Sequence, residues 1–156
     1  MKTQLVITLV SAALLTTLSQ ANAGEEVGKN QVPKAVLEAF AKAYPNAEDL
    51  KFEKESFEGK KAYEVEYKDN GKEYEAMYSA DGVLVQKEEA IDVNLLPETV
   101  THAIKKEHPK AKIEEAEKLM KPDGTLTGYE VEIKAGKKKL ELEVDATGKI
   151  LKTEKD

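Results

Sequence analysis

Cysteine, arginine and tryptophan are all missing from this 156-residue chain. Without cysteine there can be no disulfide, no thiolate metal site and no cysteine nucleophile. Without arginine there is no planar guanidinium fork for bidentate binding of phosphate. The 24 basic residues are lysines, which 30 acidic residues outnumber to give a net charge of −6. Since nucleic-acid affinity comes from neutralising phosphates, we expect no nucleic-acid partner.

Residues able to support catalysis are scarce as well. After residue 23 the only serines are Ser56 and Ser79, and neither lies in a nucleophile-elbow pattern. His102 and His108 are six residues apart, about 240° around a helix, so they cannot share a metal on one face. We therefore predict a protein that is not an enzyme, with no catalytic residue, no cofactor and no defined metal-ligand set.

The first 23 residues are typical of a secretory signal. Lys2 precedes an apolar run over residues 5–18, and Ala21-Asn22-Ala23 gives a small-x-small cleavage site. The run is shorter than the roughly 20 apolar residues that a membrane-spanning helix needs. We expect cleavage after Ala23 and a periplasmic or secreted product without a stable membrane anchor.

The rest of the chain contains one pattern twice. "VPKAVLEAFAKAYPNA" (32–47) aligns without a gap with "LPETVTHAIKKEHPKA" (96–111), at an offset of 64. "YEVEYKDNGKEYEAMYSADG" (63–82) aligns with "YEVEIKAGKKKLELEVDATG" (129–148), at an offset of 66. The period indicates a tandem repeat.

Each copy predicts a helix followed by antiparallel strands. Apolar residues recur at helical spacing from Val36 to Ala43 and from Val100 to Ile104, and the Tyr-Pro and His-Pro pairs stop each helix. Asn70-Gly71 predicts a type I′ hairpin that pairs Tyr67 with Tyr74 and Glu66 with Glu75. The equivalent hairpin turns at Gly136-Lys137.

We therefore predict an α+β fold in which each repeat is one helix packed on a four-stranded antiparallel sheet. The two sheets either join into one curved eight-stranded sheet or stay separate. The predicted segments are a signal peptide (1–23), a linker (24–31), repeat 1 (32–89), a linker (90–95) and repeat 2 (96–156).

The motif order "LPxxVxxAIxxxHPxA", "YEVEI" and "DATGKIL" resembles the PepSY-like, β-lactamase-inhibitor-like family of exported bacterial domains. The first copy carries "VPKAVLEAFAKAYPNA", "YEVEY" and "SADGVLV" in the same order, so the resemblance spans about residues 32–155. It implies a helix on a four-stranded sheet and a role in binding or inhibiting enzymes. It carries no catalytic residue over to this chain.

Alternation along the hairpins sends tyrosine and valine toward the helix and glutamate to the other face. The predicted register sets Glu66 opposite Glu75, although like charges facing each other are unfavourable. This outer face is our candidate for binding, and its predicted positions are Glu64, Glu66, Glu75, Met77, Glu130, Glu132, Glu141 and Glu143.

Two interpretations of this face remain open at the level of sequence. In the first, lysines of flanking strands, such as Lys51, Lys87 and Lys152, neutralise an ordinary solvated face. In the second, the face binds something cationic, either a basic protein surface or a divalent metal ion. Hard oxygen ligands would favour calcium or magnesium, although no EF-hand loop is present. We expect a monomer with an unidentified protein partner, and divalent-cation binding is the alternative function.

Overall fold

The computed structural model describes residues 24–155. It contains one antiparallel sheet of nine strands with two helices on one of its faces. The predicted signal peptide and its cleavage site lie outside the described residues. The helices are α1 (Lys34–Ala43) and α2 (Glu98–Glu107). The strands are β1 (Glu25–Glu26), β2 (Glu48–Phe57), β3 (Lys60–Asp69), β4 (Lys72–Ser79), β5 (Leu84–Ala90), β6 (Lys112–Met120), β7 (Leu126–Ala135), β8 (Lys138–Asp145) and β9 (Ile150–Lys155).

The order of the strands across the sheet is their order along the chain. A helix and four strands therefore occur twice, and β5 joins the halves by pairing with β6 over Lys87–Ala90. The sheet is continuous, but it has nine strands rather than eight. The extra strand is β1, which pairs with β2 and belongs to the segment that we expected to be a linker.

The hairpins have the registers that the sequence predicts. Tyr67 pairs with Tyr74 and Glu66 with Glu75 on β3 and β4, and the corresponding pairs form between β7 and β8. Asn70 and Gly71 have φ values of 51° and 77°, as a type I′ turn requires. Period-two alternation and a two-residue turn were sufficient to fix this register.

Each helix covers its own apolar core on one face of the sheet. Val36 and Phe40 of α1 pack on Val65, Tyr63, Tyr67 and Tyr78, and these side chains are at most 8% exposed. Under α2, aliphatic residues of β7 and β8 take the same places. The helical spacing predicted these buried positions. Pro33 and Pro97 stand immediately before the two helices.

A β-bulge explains why one strand gave no clear alternation in the sequence. The pairing of β6 with β7 shifts between Ile113 and Glu115, so Ile113 and Ala116 both face the second core in spite of their odd spacing. A bulge inserts one unpaired residue and reverses the alternation beyond it.

Two glycines fix the helices to the sheet. Gly82 and Gly148 follow β4 and β8 with φ values of 84° and 90°. A Cβ atom at these positions would lie 2.6 Å from the carbonyl oxygen of Ala35 in α1 or of Thr99 in α2. Only glycine allows the turn to approach the helix backbone so closely.

The sheet curls away from the helices into a half-barrel. Residues of β2 and of β9 line the same concavity. Glu55 of β2 interacts electrostatically with Lys152 and Glu154 of β9. The face predicted to be an open sheet surface is therefore the inside of a trough.

Candidate functional site: an acidic trough

The concave face of the sheet forms a trough of about 1200 Å³, which we call the acidic trough. Alternate positions on each strand point into it because the opposite positions are committed to the helix-covered cores. Its acidic residues are Glu53, Glu55, Glu58, Glu64, Glu66, Glu75, Glu88, Glu115, Glu117, Glu130, Glu132, Glu141, Glu143 and Glu154. Lys121 and Lys152 also line it.

All eight positions singled out in the sequence line this one trough. Both halves of the sheet therefore contribute to a common surface. Met77 faces Glu64 across the hairpin as predicted, but it is only 8% exposed. It is part of the floor of the trough rather than an exposed apolar contact.

The interpretation as an ordinary solvated face is wrong for the centre of the trough. Glu88 is 2% exposed and Glu154 is 8% exposed. Curling brings carboxylates of distant strands together and removes them from water. An open flat sheet would have left both residues solvated.

Lysines relieve this charge at two of the three places we expected. Lys51 Nζ lies 2.7 Å from Glu66 Oε2, and Lys152 Nζ lies 2.7 Å from Glu154 Oε2. Lys87 does not contribute, because it pairs with the core residue Ala76 and so faces the helix side of the sheet.

Glu88 is the most enclosed carboxylate of the trough, and the sequence analysis missed it. Gln86 Nε2 donates a 2.9 Å hydrogen bond to Glu88 Oε1, but the buried Oε2 has no donor. Its cross-strand partner on β6 is Leu119, which is itself 2% exposed. A hydrogen bond between Glu88 and Glu117 can form only when one of the two carboxyl groups carries a proton.

Glu88 belongs to two groups of three carboxylates. Its oxygens and those of Glu64 and Glu75 include three atoms that lie within 4.8 Å of one another. The same holds for Glu88 with Glu117 and Glu130. Glu88 lies on β5, so the two groups meet where the halves of the sheet join.

Burial and mutual repulsion keep protons on these groups at pH values where an exposed glutamate has lost its own. Desolvation, with the charge of Glu64 contributing, raises the pKa of Glu75 to about 12. Desolvation and the charge of Glu88 raise the pKa of Glu117 to about 8. The pKa values of Glu64 and Glu130 are also raised well above the usual range, mainly by burial.

The two halves neutralise equivalent carboxylates differently. Glu88 lies opposite Glu75 on the neighbouring strand, and at the equivalent place in the other half Glu154 lies opposite Glu141. Beside Glu154 stands Lys152, whereas beside Glu88 the corresponding residue is the uncharged Gln86. The charge of Lys152 opposes the rise in the pKa of Glu141, which desolvation and Glu154 bring to about 7.

The sequence carried a signal for Glu88 and Gln86. The offset of 66 that aligns the hairpins also aligns Gln86 with Lys152 and Glu88 with Glu154. Extending the repeat by one strand would have placed both residues on the acidic face. The register of the last strand in each half was the missing element.

The histidines do not contribute to the trough. His102 lies on the outer side of α2, beside a shallow surface depression that Glu98 and Lys105 also line. His108 ends α2, and its backbone N–H donates a 2.7 Å hydrogen bond to the carbonyl oxygen of Ile104.

The chain belongs to the PepSY-like family. The family model, described as "Putative beta-lactamase-inhibitor-like, PepSY-like", matches residues 20–86 and 61–152. These overlapping regions span most of the chain. Among curated proteins, no relative matches the chain by sequence.

Several solved structures have the same fold. A Bacteroides eggerthii structure described as "putative periplasmic proteins" is 17% identical, with a TM-score of 0.59 over 80% of this chain and 88% of that chain. A BLIP-like protein from Bacteroides fragilis is 24% identical, with a TM-score of 0.53 over 80% and 86% of the two chains. A DUF2874 family protein from Bacteroides uniformis is 18% identical, with a TM-score of 0.57 over 80% and 89%. At these identities the similarity shows the fold alone.

Neither helix within residues 24–155 is long and apolar enough to cross a membrane. The family description is inhibitor-like, and the three structural relatives described above carry no enzymatic name.

Proposed function

We propose that this chain is an exported, monomeric, non-enzymatic binding protein whose acidic trough receives a cationic segment of a periplasmic or secreted protein. In this proposal residues 1–23 are the cleaved signal, and residues 32–89 and 96–156 are two copies of one PepSY-like unit. The inhibitor-like family description favours an enzyme as the partner.

The observation that supports binding most strongly is the enclosure of so many carboxylates in one concavity. A trough of about 1200 Å³ has room for several side chains of a partner. Low-dielectric walls lined by one sign of charge focus the field and attract ions of the opposite sign. Burial, with the charges of neighbouring glutamates contributing, raises the pKa values of Glu75 and Glu117, and positive charge in the trough would favour their ionised forms.

Catalysis receives no comparable support from the described residues. In the part of the chain that the structure covers, the carboxylates of the trough have no serine or histidine beside them that would form a nucleophile–base pair. Ser56 does line the trough, but the hydrogen bond recorded for it runs from its backbone N–H to Glu55.

The test is to titrate residues 24–156 with a fluorescent lysine-rich peptide and with a glutamate-rich peptide of the same length. We expect saturable binding of the lysine-rich peptide alone, weakening as salt is added because the attraction is electrostatic. Changing Glu66 and Glu132 to Gln should weaken this binding by roughly tenfold.

A matched control changes Glu38 and Glu107 to Gln. These residues lie on the helices and do not line the trough, so their loss should leave binding within about twofold. Equal binding by the two double variants would move the site out of the trough. No binding of the lysine-rich peptide would overturn the proposal.

A further inference from the structure

On the floor of the acidic trough lies a group of carboxylates around Glu88, and Glu88 takes part in none of the ion pairs found within residues 24–155. Glu88 is common to two sets of three carboxylates, Glu64–Glu75–Glu88 and Glu88–Glu117–Glu130, each with oxygens within 4.8 Å of one another. Ligands on opposite sides of a calcium ion are up to about 5 Å apart, because calcium–oxygen distances are about 2.3–2.6 Å. Either set is compact enough to surround one ion.

A carboxylate cluster alone does not make a site, but Glu88 adds an independent observation. Its side chain is 2% exposed, and its Oε2 is buried without a hydrogen-bond donor. Acidic groups from several strands act on it, and they are Glu55, Glu64, Glu75, Glu117, Glu130 and Glu143. A buried charge without an opposite charge is strongly unfavourable. Such a carboxylate is neutralised either by a proton or by a cation that displaces the proton.

In the other half of the sheet, the carboxylate equivalent to Glu88 has a positive charge beside it. There the ammonium group of Lys152 lies 2.7 Å from Glu154, the counterpart of Glu88. Gln86 occupies the place of Lys152 and offers Glu88 only a neutral amide at 2.9 Å. The difference at this one position leaves Glu88 without the lysine that stands beside Glu154.

We propose that a calcium ion binds in the acidic trough with Glu88 as a ligand and the two other carboxylates of one of these sets as its partners. This inference rests on the proposed function, because it uses the same acidic trough. It adds a metal ion as a second ligand of that trough, beside the protein partner. All the donors are carboxylate oxygens, which hard cations prefer. Calcium fits better than magnesium because it accepts many carboxylates in irregular geometry, whereas magnesium keeps its waters.

The experiment is calorimetric titration of calcium chloride into chelator-treated residues 24–156, together with melting curves in calcium and in chelator. We expect a saturable Kd of about 10⁻⁴ M, as in extracellular calcium modules. Calcium should raise the Tm, because a ligand of the native state stabilises it. Magnesium should bind at least tenfold more weakly.

Three variants locate the site. Glu88→Gln should weaken calcium binding at least tenfold. Gln86→Lys should also abolish it but raise the Tm in chelator, because the lysine supplies the missing charge. This opposite effect on stability separates loss of the site from damage to the fold. Glu154→Gln, the matched control in the other half, should leave the calcium affinity within about threefold.

The inference is overturned if no saturable calcium binding occurs up to about 5 mM, or if Glu88→Gln binds as tightly as the unchanged chain. It is also overturned if Gln86→Lys retains full calcium binding. The lysine-rich peptide is titrated into the same samples. Peptide binding without calcium binding would refute only the calcium site, and failure of both would refute the proposed function as well.

Discussion

The two halves of the sheet share a backbone and differ in how they handle buried charge. In both halves the pairing of the third and fourth strands has a bulge at the same place, between Met77 and Tyr78 or between Glu143 and Val144. Across the strands, Met77 faces Gln86 in the first half, while Glu143 faces Lys152 in the second. An uncharged cross-strand pair thus replaces a pair of opposite charges, which shows that the fold does not dictate charge compensation in the trough.

The helix sides differ in a complementary way. Under α1 the core is aromatic, and Phe40 lies 5.2 Å from Tyr67 between ring centroids. Under α2 the counterparts of these residues are Ile104 and Ile133, both at most 1% exposed. Tyr67 pairs with Tyr74 across the first hairpin, whereas Ile133 pairs with Leu140 across the second. The two cores are therefore filled by different kinds of side chain on the same backbone register.

The largest effect should come from emptying the helix–sheet cores. Phe40→Ala removes a ring that also contacts Tyr44 and Tyr78, and we expect a loss of about 3–5 kcal/mol in the free energy of unfolding. Ile104→Ala should cost about 2–4 kcal/mol, because fewer atoms are removed. Urea unfolding measures both. Equal losses would show that the aromatic contacts add nothing to stability.

The next effect should be the same in both halves. Gly82→Ala and Gly148→Ala place a Cβ against a helix carbonyl at 2.6 Å and strain a backbone with positive φ. We expect each to lower the free energy of unfolding by about 2–3 kcal/mol. Gly136→Ala is the control, since its φ is 70° but no atom lies within 4 Å of the added carbon. A loss in the control as large as in the other two would remove the helix contact from the explanation.

Removing the built-in cation should make the halves alike. Lys152→Gln leaves the buried Glu154 without its ion pair, and we expect a cost of about 1–2 kcal/mol at pH 8. Urea unfolding measures this cost. A cost below about 0.5 kcal/mol would show that the ion pair does not stabilise the fold.

Titration should distinguish equivalent glutamates. Near pH 7 Glu141 should lose its proton, while Glu75, without a lysine beside it and with a pKa raised to about 12, should keep its own. Carbon NMR of the glutamate carboxyl groups in chelator measures both. Identical midpoints would contradict the role given to Lys152.

The same shifts fix the sign of the dependence of stability on pH. Between pH 4.5 and about 8 the native state binds more protons than the unfolded chain, because the pKa values of Glu141 and Glu117 are raised. Stability should therefore fall as the pH rises through this window, by several degrees in Tm in chelator. A Tm that rises from pH 5 to pH 8 would show that these carboxylates are solvated.

The smallest effect should come from the helix surface. Lys34 Nζ and Glu38 Oε1 are 3.1 Å apart, but the two side chains are 87% and 66% exposed. We expect Lys34→Ala to change the free energy of unfolding by about 0–0.5 kcal/mol, because water screens such pairs. The other half has Glu98 and His102 at these places. A loss above about 1 kcal/mol in urea unfolding would show that the pair is shielded from water.

The hairpins and helices could be predicted because their signals are local. An Asn-Gly turn and period-two alternation fix the partner of Tyr67 without any knowledge of the rest of the chain. The bulge near Ile113 could not be predicted in the same way. A bulge breaks the alternation of apolar and polar residues, but the broken pattern does not identify which residue is unpaired.

The candidate site was predictable in position but not in environment. Glu66 and Glu132 share a face because side chains alternate, and this follows from sequence. Whether that face is flat or concave depends on twist and bulges accumulated over nine strands, which no short segment encodes. The burial of Met77 and Glu88 is a result of that curvature.

A strand order equal to the chain order also shapes how the molecule folds. Each strand after β1 pairs with the strand before it either across a short turn or, at β2 and β6, across one short helix, so most closures involve short loops. The entropy lost in closing a loop grows with its length, and proteins dominated by near neighbours in sequence fold faster than those that pair distant strands. We expect stopped-flow refolding of residues 24–156 to be fast for a sheet of nine strands, with growth outward from either hairpin.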